Sequence, residues 1–364
     1  MAIGNGDGDG DNSQEVGYGQ VSKLPIELIY LILAKYLSVK SSYLLLNKWL
    51  FHLLSPILYE QPVLSSKNFF SFVETLSSSP RKKYYGSLVK HLDLSTIIQS
   101  GKNSFVSRLL RRCSLNLISF IAPQTSFGYA PLVSLRACHS LKVLDLRLVS
   151  ETVNLTELFH SMKNCKNLEQ LSFPRSSVEC KDFEKIAWPE NLSYLRLSGG
   201  ITNEFLDSVK FPKTIRTLEF AHCPYLNAKS IYKVLMALGK NLKSLSIHYP
   251  MPNLDQDSMN MVLMYCRNLK FLYITVDYIS SGLLSDFLDE DHSLETLWID
   301  SSGTLGQSFK LHPDDLTIAI SEYRLPRLRT VRINYRLGWD TASSDVADLV
   351  GILEDQGGSL YVVR

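Results

Sequence analysis

A short pattern of apolar positions recurs along most of the chain: an apolar residue, two residues of any kind, an apolar residue, one residue of any kind, and an apolar residue. Its starts lie 23 to 34 residues apart. The occurrences are Val89/Leu92/Leu94, Leu115/Ile118/Phe120, Leu141/Leu144/Leu146, Leu168/Leu171/Phe173, Leu192/Leu195/Leu197, Ile215/Leu218/Phe220, Leu242/Leu245/Ile247, Leu269/Leu272/Ile274, Leu294/Leu297/Ile299 and Leu328/Val331/Ile333. Ten occurrences at nearly constant spacing indicate an internally repeated protein.

Each repeat reads as a short strand followed by a helix. The last two apolar residues lie two positions apart, so they point the same way from a strand. Helical spacing follows in Leu155/Leu158/Phe159/Met162 and in Ile231/Val234/Leu235/Leu238, and Pro313 with two carboxylates behind it is typical of a helix start. Such a small repeat buries its apolar face only by stacking on its neighbours. The pattern therefore predicts an α/β solenoid, with parallel strands on a concave face and helices outside. Leu360 and Val362 could form an eleventh strand.

The residues between the buried strand positions are expected to point into the concave face. This column is Asp93, Ser119, Asp145, Ser172, Arg196, Glu219, Ser246, Tyr273, Trp298 and Arg332. Together with Phe271, the aromatic residues Tyr273 and Trp298 are typical of a protein-binding hot spot. They could equally pack against residues 301–312, which interrupt the repeat spacing. Arg147 and Arg196 are candidate ligands for an acidic or phosphorylated target segment.

Residues 21–64 do not follow the repeat. Leu28, Leu31, Ile32 and Tyr36 form one helical stripe, with a second stripe of Ile29, Leu33 and Leu37 beside it. Short helices are expected at about 41–47 and 48–54, the latter ended by Pro56. A helix that is apolar around most of its circumference must be covered on several sides, and about 40 residues form a marginal domain alone. We infer that a partner protein covers this segment. The alternative is that these helices only cap the first repeat.

The N-terminal segment resembles an F-box. The matching residues are Leu24-Pro25-x-Glu27-Leu28, Ile32-Leu33, Leu37, Asn47-Lys48-Trp49 and Pro56-Ile57-Leu58-Tyr59, while Ser42-Tyr43 replaces the Asp-Leu pair common in the family. F-boxes bind the Skp adaptor, which bridges to a cullin. The resemblance implies that the interface is formed or supported by Leu24, Pro25, Leu28, Ile32, Leu33, Leu37 and Trp49.

The repeats resemble the cysteine-containing type of leucine-rich repeat. Cys138, Cys165 and Cys266 each stand three residues before the first Leu of a repeat, Cys113 stands two before, and Cys223 follows a strand. These positions are expected to hold small buried side chains at crowded turns rather than metal or redox centres. Cys180 has no such explanation.

The composition of the chain argues against several classes of function. The 364 residues are 45% hydrophobic and carry a formal net charge of +2, which argues against global disorder and against general nucleic-acid or membrane-surface binding. The Gly/Asp-rich residues 1–20 are not typical of a secretory signal, and we expect a cytoplasmic or nuclear protein. The sequence contains no recognised catalytic, cofactor-binding or metal-binding motif.

The sequence predicts four segments: a disordered acidic tail (1–20), an F-box (21–64), a linker with the first helix of the array (65–87), and a solenoid of about ten leucine-rich repeats (88–364). The resemblance implies a non-catalytic substrate-recognition subunit of an SCF-type (Skp–cullin–F-box) ubiquitin ligase. The target protein would bind the concave face. The alternatives are an F-box protein that acts with the adaptor outside ubiquitination, and a plain repeat scaffold.

Overall fold

The chain forms two compact units in a computed structural model, Met1–Leu58 and Tyr59–Arg364, here called the N-terminal unit and the sheet unit. The structure describes residues 25–36, 41–77, 83–98, 103–124, 127–178, 180–285, 291–304, 306–307 and 310–364. The predicted acidic tail and the predicted adaptor-binding residues Leu24 and Leu37 lie outside these ranges. Among the described helices, none combines the length and apolar character needed to cross a bilayer.

The N-terminal unit is built from helices in its described part. Helix α1 (Ile26–Tyr36) is followed by a 3₁₀ helix (Ser41–Leu45) and by helix α2 (Lys48–Glu60). The Asn47 side chain caps α2 by accepting the Leu50 N–H at 2.7 Å.

The expectation that Pro56 ends this second helix was wrong, because α2 continues through Pro56 to Glu60. A proline inside a helix costs about 3 kcal/mol. The side chain of Leu54 is fully buried, and such burial contributes about 1.5–3 kcal/mol, which offsets much of that cost.

The sheet unit contains one parallel sheet of eleven strands, and consecutive repeats contribute neighbouring strands. This confirms the predicted α/β class with a parallel sheet, including the eleventh strand. Two further strands, β4 and β6, pair separately in parallel. The strands are β1 (His91–Asp93), β2 (Ser119–Ile121), β3 (Val143–Asp145), β4 (Val153–Asn154), β5 (Gln170–Ser172), β6 (Ser177–Val178), β7 (Tyr194–Leu197), β8 (Thr217–Phe220), β9 (Ser244–Ile247), β10 (Phe271–Thr275), β11 (Thr296–Asp300), β12 (Thr330–Asn334) and β13 (Ser359–Val363).

One apolar residue per strand lies in register across the whole sheet. This leucine column consists of Leu92, Phe120, Leu144, Leu171, Leu195, Leu218, Leu245, Leu272, Leu297, Val331 and Leu360. All but the terminal Leu360 are almost completely buried. Because side chains alternate along a strand, the residues that flank the column form the opposite face of the sheet, here called the open face.

The register of the second repeat differs from the prediction. Phe120 pairs with Leu144, so its apolar positions are Leu117, Phe120 and Ala122 rather than Leu115, Ile118 and Phe120. Ile121 therefore takes the place predicted for Ser119. The reason is burial: Leu117 is fully buried whereas Leu115 is exposed. In a stretch with apolar residues at 115, 117, 118, 120 and 121, spacing alone fits both registers.

The helices of the sheet unit pack on the leucine column within one continuous core. They are α3 (Phe69–Ser77), α4 (Lys83–Leu88), α5 (Asn103–Cys113), α6 (Tyr129–Leu135), α7 (Leu155–Met162), α8 (Asn203–Ser208), α9 (Ala228–Leu238), α10 (Val262–Tyr265), α11 (Pro313–Ser321) and α12 (Ser344–Asp355). The predicted helices coincide with α7 and α9, and α11 begins at Pro313 as expected. The Asp315 carboxylate accepts the His312 N–H at 2.7 Å and caps α11.

An aromatic cluster connects the segment between β5 and β7, whose described part contains no α-helix, to the helices on either side of it. The Trp188 ring of that segment lies 5.2 Å from Phe159 on α7 and 5.4 Å from Phe211, which follows α8. Phe205 on α8 lies 6.4 Å from Phe211 and is almost completely buried. These rings pack against the core, so the core remains continuous at this segment.

All six cysteines are free, and five of them lie where the repeat pattern predicts small buried side chains, whereas Cys180 is half-buried. Cys113, Cys138, Cys165, Cys223 and Cys266 are fully buried. Burial raises the pKa of the Cys223 thiol to about 12, and that of Cys165 to about 11. A thiol with such a pKa stays protonated at neutral pH and is a poor nucleophile, which agrees with a packing role.

Candidate functional site

Large apolar side chains lie exposed along one side of α1 and at the start of α2. Leu28 is 45% exposed, Ile32 is 42% exposed and Trp49 is 40% exposed. We call six of the exposed residues the apolar patch: Leu28, Leu31, Ile32, Leu45, Leu46 and Trp49. Several large apolar side chains left exposed in one short segment are typical of a protein-interaction site.

Three of the patch residues are among the seven predicted to contact the adaptor: Leu28, Ile32 and Trp49. Of the others, Pro25 is exposed just before α1, where its carbonyl accepts the Leu28 N–H at 3.0 Å, and Leu33 is half-buried. The role of all seven residues in adaptor binding stays a prediction.

The sequence analysis did not assign Leu31, Leu45 and Leu46 to the interface. Leu31 is the i+3 neighbour of Leu28 on α1, so helical spacing could have placed it there. Leu45 and Leu46 are among the most exposed leucines of the described chain. No spacing rule identifies them, because they lie in and just after the 3₁₀ helix.

On the open face, four aromatic rings and one arginine form a row across the last five strands of the sheet. The His248 ring lies 4.4 Å from the Tyr273 ring, which lies 5.2 Å from the Trp298 ring. The Arg332 guanidinium carbon then lies 5.4 Å from the centre of Trp298 and 5.7 Å from that of Tyr361. We call His248, Tyr273, Trp298, Arg332 and Tyr361 the aromatic–arginine strip.

Of the three aromatic residues predicted to form a hot spot, Tyr273 and Trp298 are in ring contact, and Phe271 lies half-buried two residues before Tyr273 on β10. The row is extended from these two rings by His248 on one side and by Arg332 and Tyr361 on the other. Arg332 lay in the predicted column, but the sequence analysis did not select it. Only the strand register shows that it lies between two rings.

Carboxylates on the open face already pair with Arg147 and Arg196. Arg147 donates from Nε to the buried Asp145 carboxylate at 2.7 Å. Arg196 donates from Nη1 to Glu219 at 2.8 Å, and both side chains are less than one-fifth exposed. Binding of an anionic target segment by these arginines stays a prediction, and such a segment would have to compete with both carboxylates.

The described part of the 301–312 interruption makes its recorded contacts away from the strip. Ser302 hydrogen-bonds the Asp277 carboxylate, and the Leu311 carbonyl accepts the Trp339 indole N–H at 3.0 Å. Tyr273 instead donates to the Asp300 carboxylate, which also accepts the Asn334 amide at 2.7 Å. The recorded ring contacts of Tyr273 and Trp298 are with other members of the strip.

His248 is expected to make the sheet unit less stable in mildly acidic solution. Burial, and secondarily Arg196 and His222, lower the pKa of His248, against the opposing charges of Glu219 and Asp300. The unfolded chain therefore binds more protons than the folded chain below the ordinary histidine pKa of about 6.5. Stability is present above that pH and is lost as the pH falls towards the lower folded pKa.

The check is a pair of urea unfolding curves at about pH 7.5 and about pH 5.5 for the native chain and for His248→Gln. The loss of unfolding free energy at the lower pH should be smaller in the variant. An equal loss in both proteins would show that His248 does not contribute to the pH dependence.

One histidine–carboxylate group on the surface has its ligand atoms close together. In the described chain, His312, Asp314 and Asp345 offer atoms within 4.8 Å of one another. The His312 Nδ1 atom lies 3.6 Å from the Asp314 carboxylate, and its Nε2 atom lies 3.6 Å from that of Asp345. His312 and Asp314 are exposed. These contacts describe a surface histidine–carboxylate cluster at the start of α11.

Comparisons with known proteins identify two close relatives. The chain is 54% identical over 329 residues to the F-box protein YDR306C of Saccharomyces cerevisiae, covering 89% of this chain and 69% of the relative. It is 33% identical over 306 residues to Protein pof5 of Schizosaccharomyces pombe, covering 84% of this chain and 86% of the relative. No family model matches the chain.

Among solved structures, the crystal structure of the Rad7 and Elc1 complex in yeast aligns with a TM-score of 0.46 and 16% identity, over 86% of this chain and 75% of that chain. A similarity at this level carries no functional conclusion. The two sequence relatives show the family, because they are 54% and 33% identical to this chain, which covers 69% and 86% of their lengths. The chain belongs to the family of F-box proteins.

Proposed function

We propose that this F-box protein is the substrate-recognition subunit of an SCF-type ubiquitin ligase. In this proposal residues 21–64 form an all-α F-box that docks on the Skp adaptor. The sheet unit is a leucine-rich-repeat solenoid whose open face, as the concave surface, holds the target protein. The chain has no catalytic role, and rate acceleration comes from holding the target near a ubiquitin-charged enzyme carried by other subunits.

The observation that carries the proposal is the apolar patch on α1 and α2. Leaving Leu28, Ile32 and Trp49 nearly half exposed costs hydrophobic free energy that a partner recovers by covering them. A segment that only caps the repeats would be expected to present a polar outer face instead. The patch therefore favours adaptor docking over the cap-only interpretation.

The target would bind at the other functional surface, the aromatic–arginine strip. Tyr, Trp and Arg dominate binding energy at protein interfaces, and the strip combines all three on adjacent strands. We place this activity in the cytoplasm or nucleus, where the free cysteines would remain reduced.

The test is reconstitution of the purified full chain with a Skp adaptor and then with a cullin. Adaptor-dependent cullin capture is expected if the ligase proposal is right. Capture of the adaptor without the cullin would favour an F-box protein acting outside ubiquitination. Failure to bind the adaptor would contradict both proposals and favour the interpretation of the chain as a plain repeat scaffold.

A further inference from the structure

Arg332 differs from the other arginines on the open face in what surrounds it. Its side chain is exposed at the centre of β12, and its guanidinium lies over the Trp298 ring on one side and the Tyr361 ring on the other. Within the described chain, no carboxylate lies at ion-pair distance from it, whereas Arg147 and Arg196 each have one. Arg332 therefore carries a positive charge that no recorded ion pair neutralises.

The carboxylate of Asp300, on the strand next to that of Arg332, is already engaged. Asp300 accepts the Tyr273 hydroxyl, the Asn334 amide and the Ser301 backbone N–H. These three donors satisfy much of the capacity of its two oxygens. Asp300 thus reduces the local positive potential without pairing with Arg332. A second exposed cation, Arg336, lies in the 3₁₀ helix (Tyr335–Leu337) that follows the strand.

The two rings restrict the arginine while leaving its N–H groups available. A guanidinium over an aromatic face gains cation–π energy without using its N–H donors. Those N–H groups can then donate two parallel hydrogen bonds to the oxygens of a carboxylate or phosphate. Because the rings limit its motion beforehand, less conformational entropy is lost when a ligand binds.

We propose that Arg332, held between Trp298 and Tyr361, binds an anionic oxygen group on a segment of the target protein. The group is the carboxylate of an acidic side chain or the phosphate of a phosphorylated one, and the rings of the strip contact the residues beside it. The inference rests on the proposed function for the identity of the partner, but not for the chemistry of the site.

The probe is a pool of short degenerate peptides whose central position is Asp, Glu, phosphoserine, Ser, Gln or Lys. The pool is passed over the immobilised full chain, and bound peptides are counted by mass spectrometry. Charged hydrogen bonds predict that peptides with an anionic centre are retained roughly tenfold or more over those with Gln. Retention of phosphoserine alone identifies phosphate as the ligand, and equal retention of Asp and Glu identifies carboxylate.

Three substitutions at one exposed position separate recognition from packing. Arg332→Gln should abolish the anionic preference, Arg332→Lys should retain only part of it, and Arg332→Glu should shift the preference to Lys. Arg329→Gln is the matched control, since Arg329 is also exposed and lies just before the same strand. It should behave like the native chain.

The proposal is overturned if the native chain shows no anionic preference, or if Arg332→Gln keeps the preference of the native chain. In either case Arg332 only packs against the rings. Adaptor binding is measured in parallel and should be the same for Arg332→Gln and the native chain. If the native chain does not bind the adaptor, the proposed function is contradicted, but the conclusion from the peptide experiment is unaffected.

Discussion

Ile32→Glu should reduce binding of the chain to a Skp adaptor by at least roughly thirtyfold, as expected for a central hot-spot residue. Ile32 is 42% exposed on α1, and Leu28 and Leu31, which share its side of the helix, are exposed as well. A carboxylate there would be desolvated by the adaptor without a partner. In the free chain the same carboxylate faces solvent, so the folded state should survive. The measurement is adaptor affinity by titration calorimetry.

Met236→Glu is the matched control. Met236 is a large apolar residue that is 56% exposed on α9, far along the chain from the patch. The same charge placed there should leave adaptor affinity unchanged. If both variants lose affinity equally, the effect is a general consequence of added charge, and the patch is not the docking surface.

Phe205, on α8, should make the largest single-residue contribution to stability that we predict. Phe205→Ala is expected to cost about 3–5 kcal/mol, the range for removing a buried phenylalanine. The Phe205 ring contacts the rings of Phe159, Phe183 and Phe211 and is almost completely buried. Urea unfolding of the native chain and the variant measures the difference.

Tyr225→Ala serves as the control because the Tyr225 side chain is mostly exposed, and it should change stability by no more than about 0.5 kcal/mol. Amide hydrogen exchange should locate the loss in β7, β8 and the residues between them, since repeats interact mainly with their neighbours. A cost for Phe205→Ala as small as that of Tyr225→Ala would mean that the cluster relaxes to fill the space.

Local pattern was enough to predict most of the sheet unit. The spacing of Leu195 and Leu197, or of Leu218 and Phe220, reports which residues of a strand share a face, and that depends only on chain geometry. Pro313 likewise identified the start of α11. The second repeat was misaligned because Leu115 and Leu117 satisfy the spacing equally well, and only contact with the neighbouring strands distinguishes them.

The functional surfaces were predicted less completely. The family resemblance pointed to Leu28, Ile32 and Trp49, but the exposure of Leu45 and Leu46 required coordinates. The sequence also did not show that Glu219 pairs with Arg196, although both residues stood in the predicted column. Ion pairs between strands depend on side-chain rotamers and distances that the column order does not specify.

The sequence by itself determined the α/β class, the parallel eleven-stranded order and the positions of the buried cysteines. Each follows from apolar periodicity, which records burial residue by residue along the chain. Only the tertiary structure decided that Arg332 lies between Trp298 and Tyr361. It also decided that Phe205 packs against Phe159 and Phe211, and that both of these rings contact Trp188. These contacts join residues roughly 6 to 46 positions apart, and their geometry arises from strand register and packing volume, which no local pattern encodes.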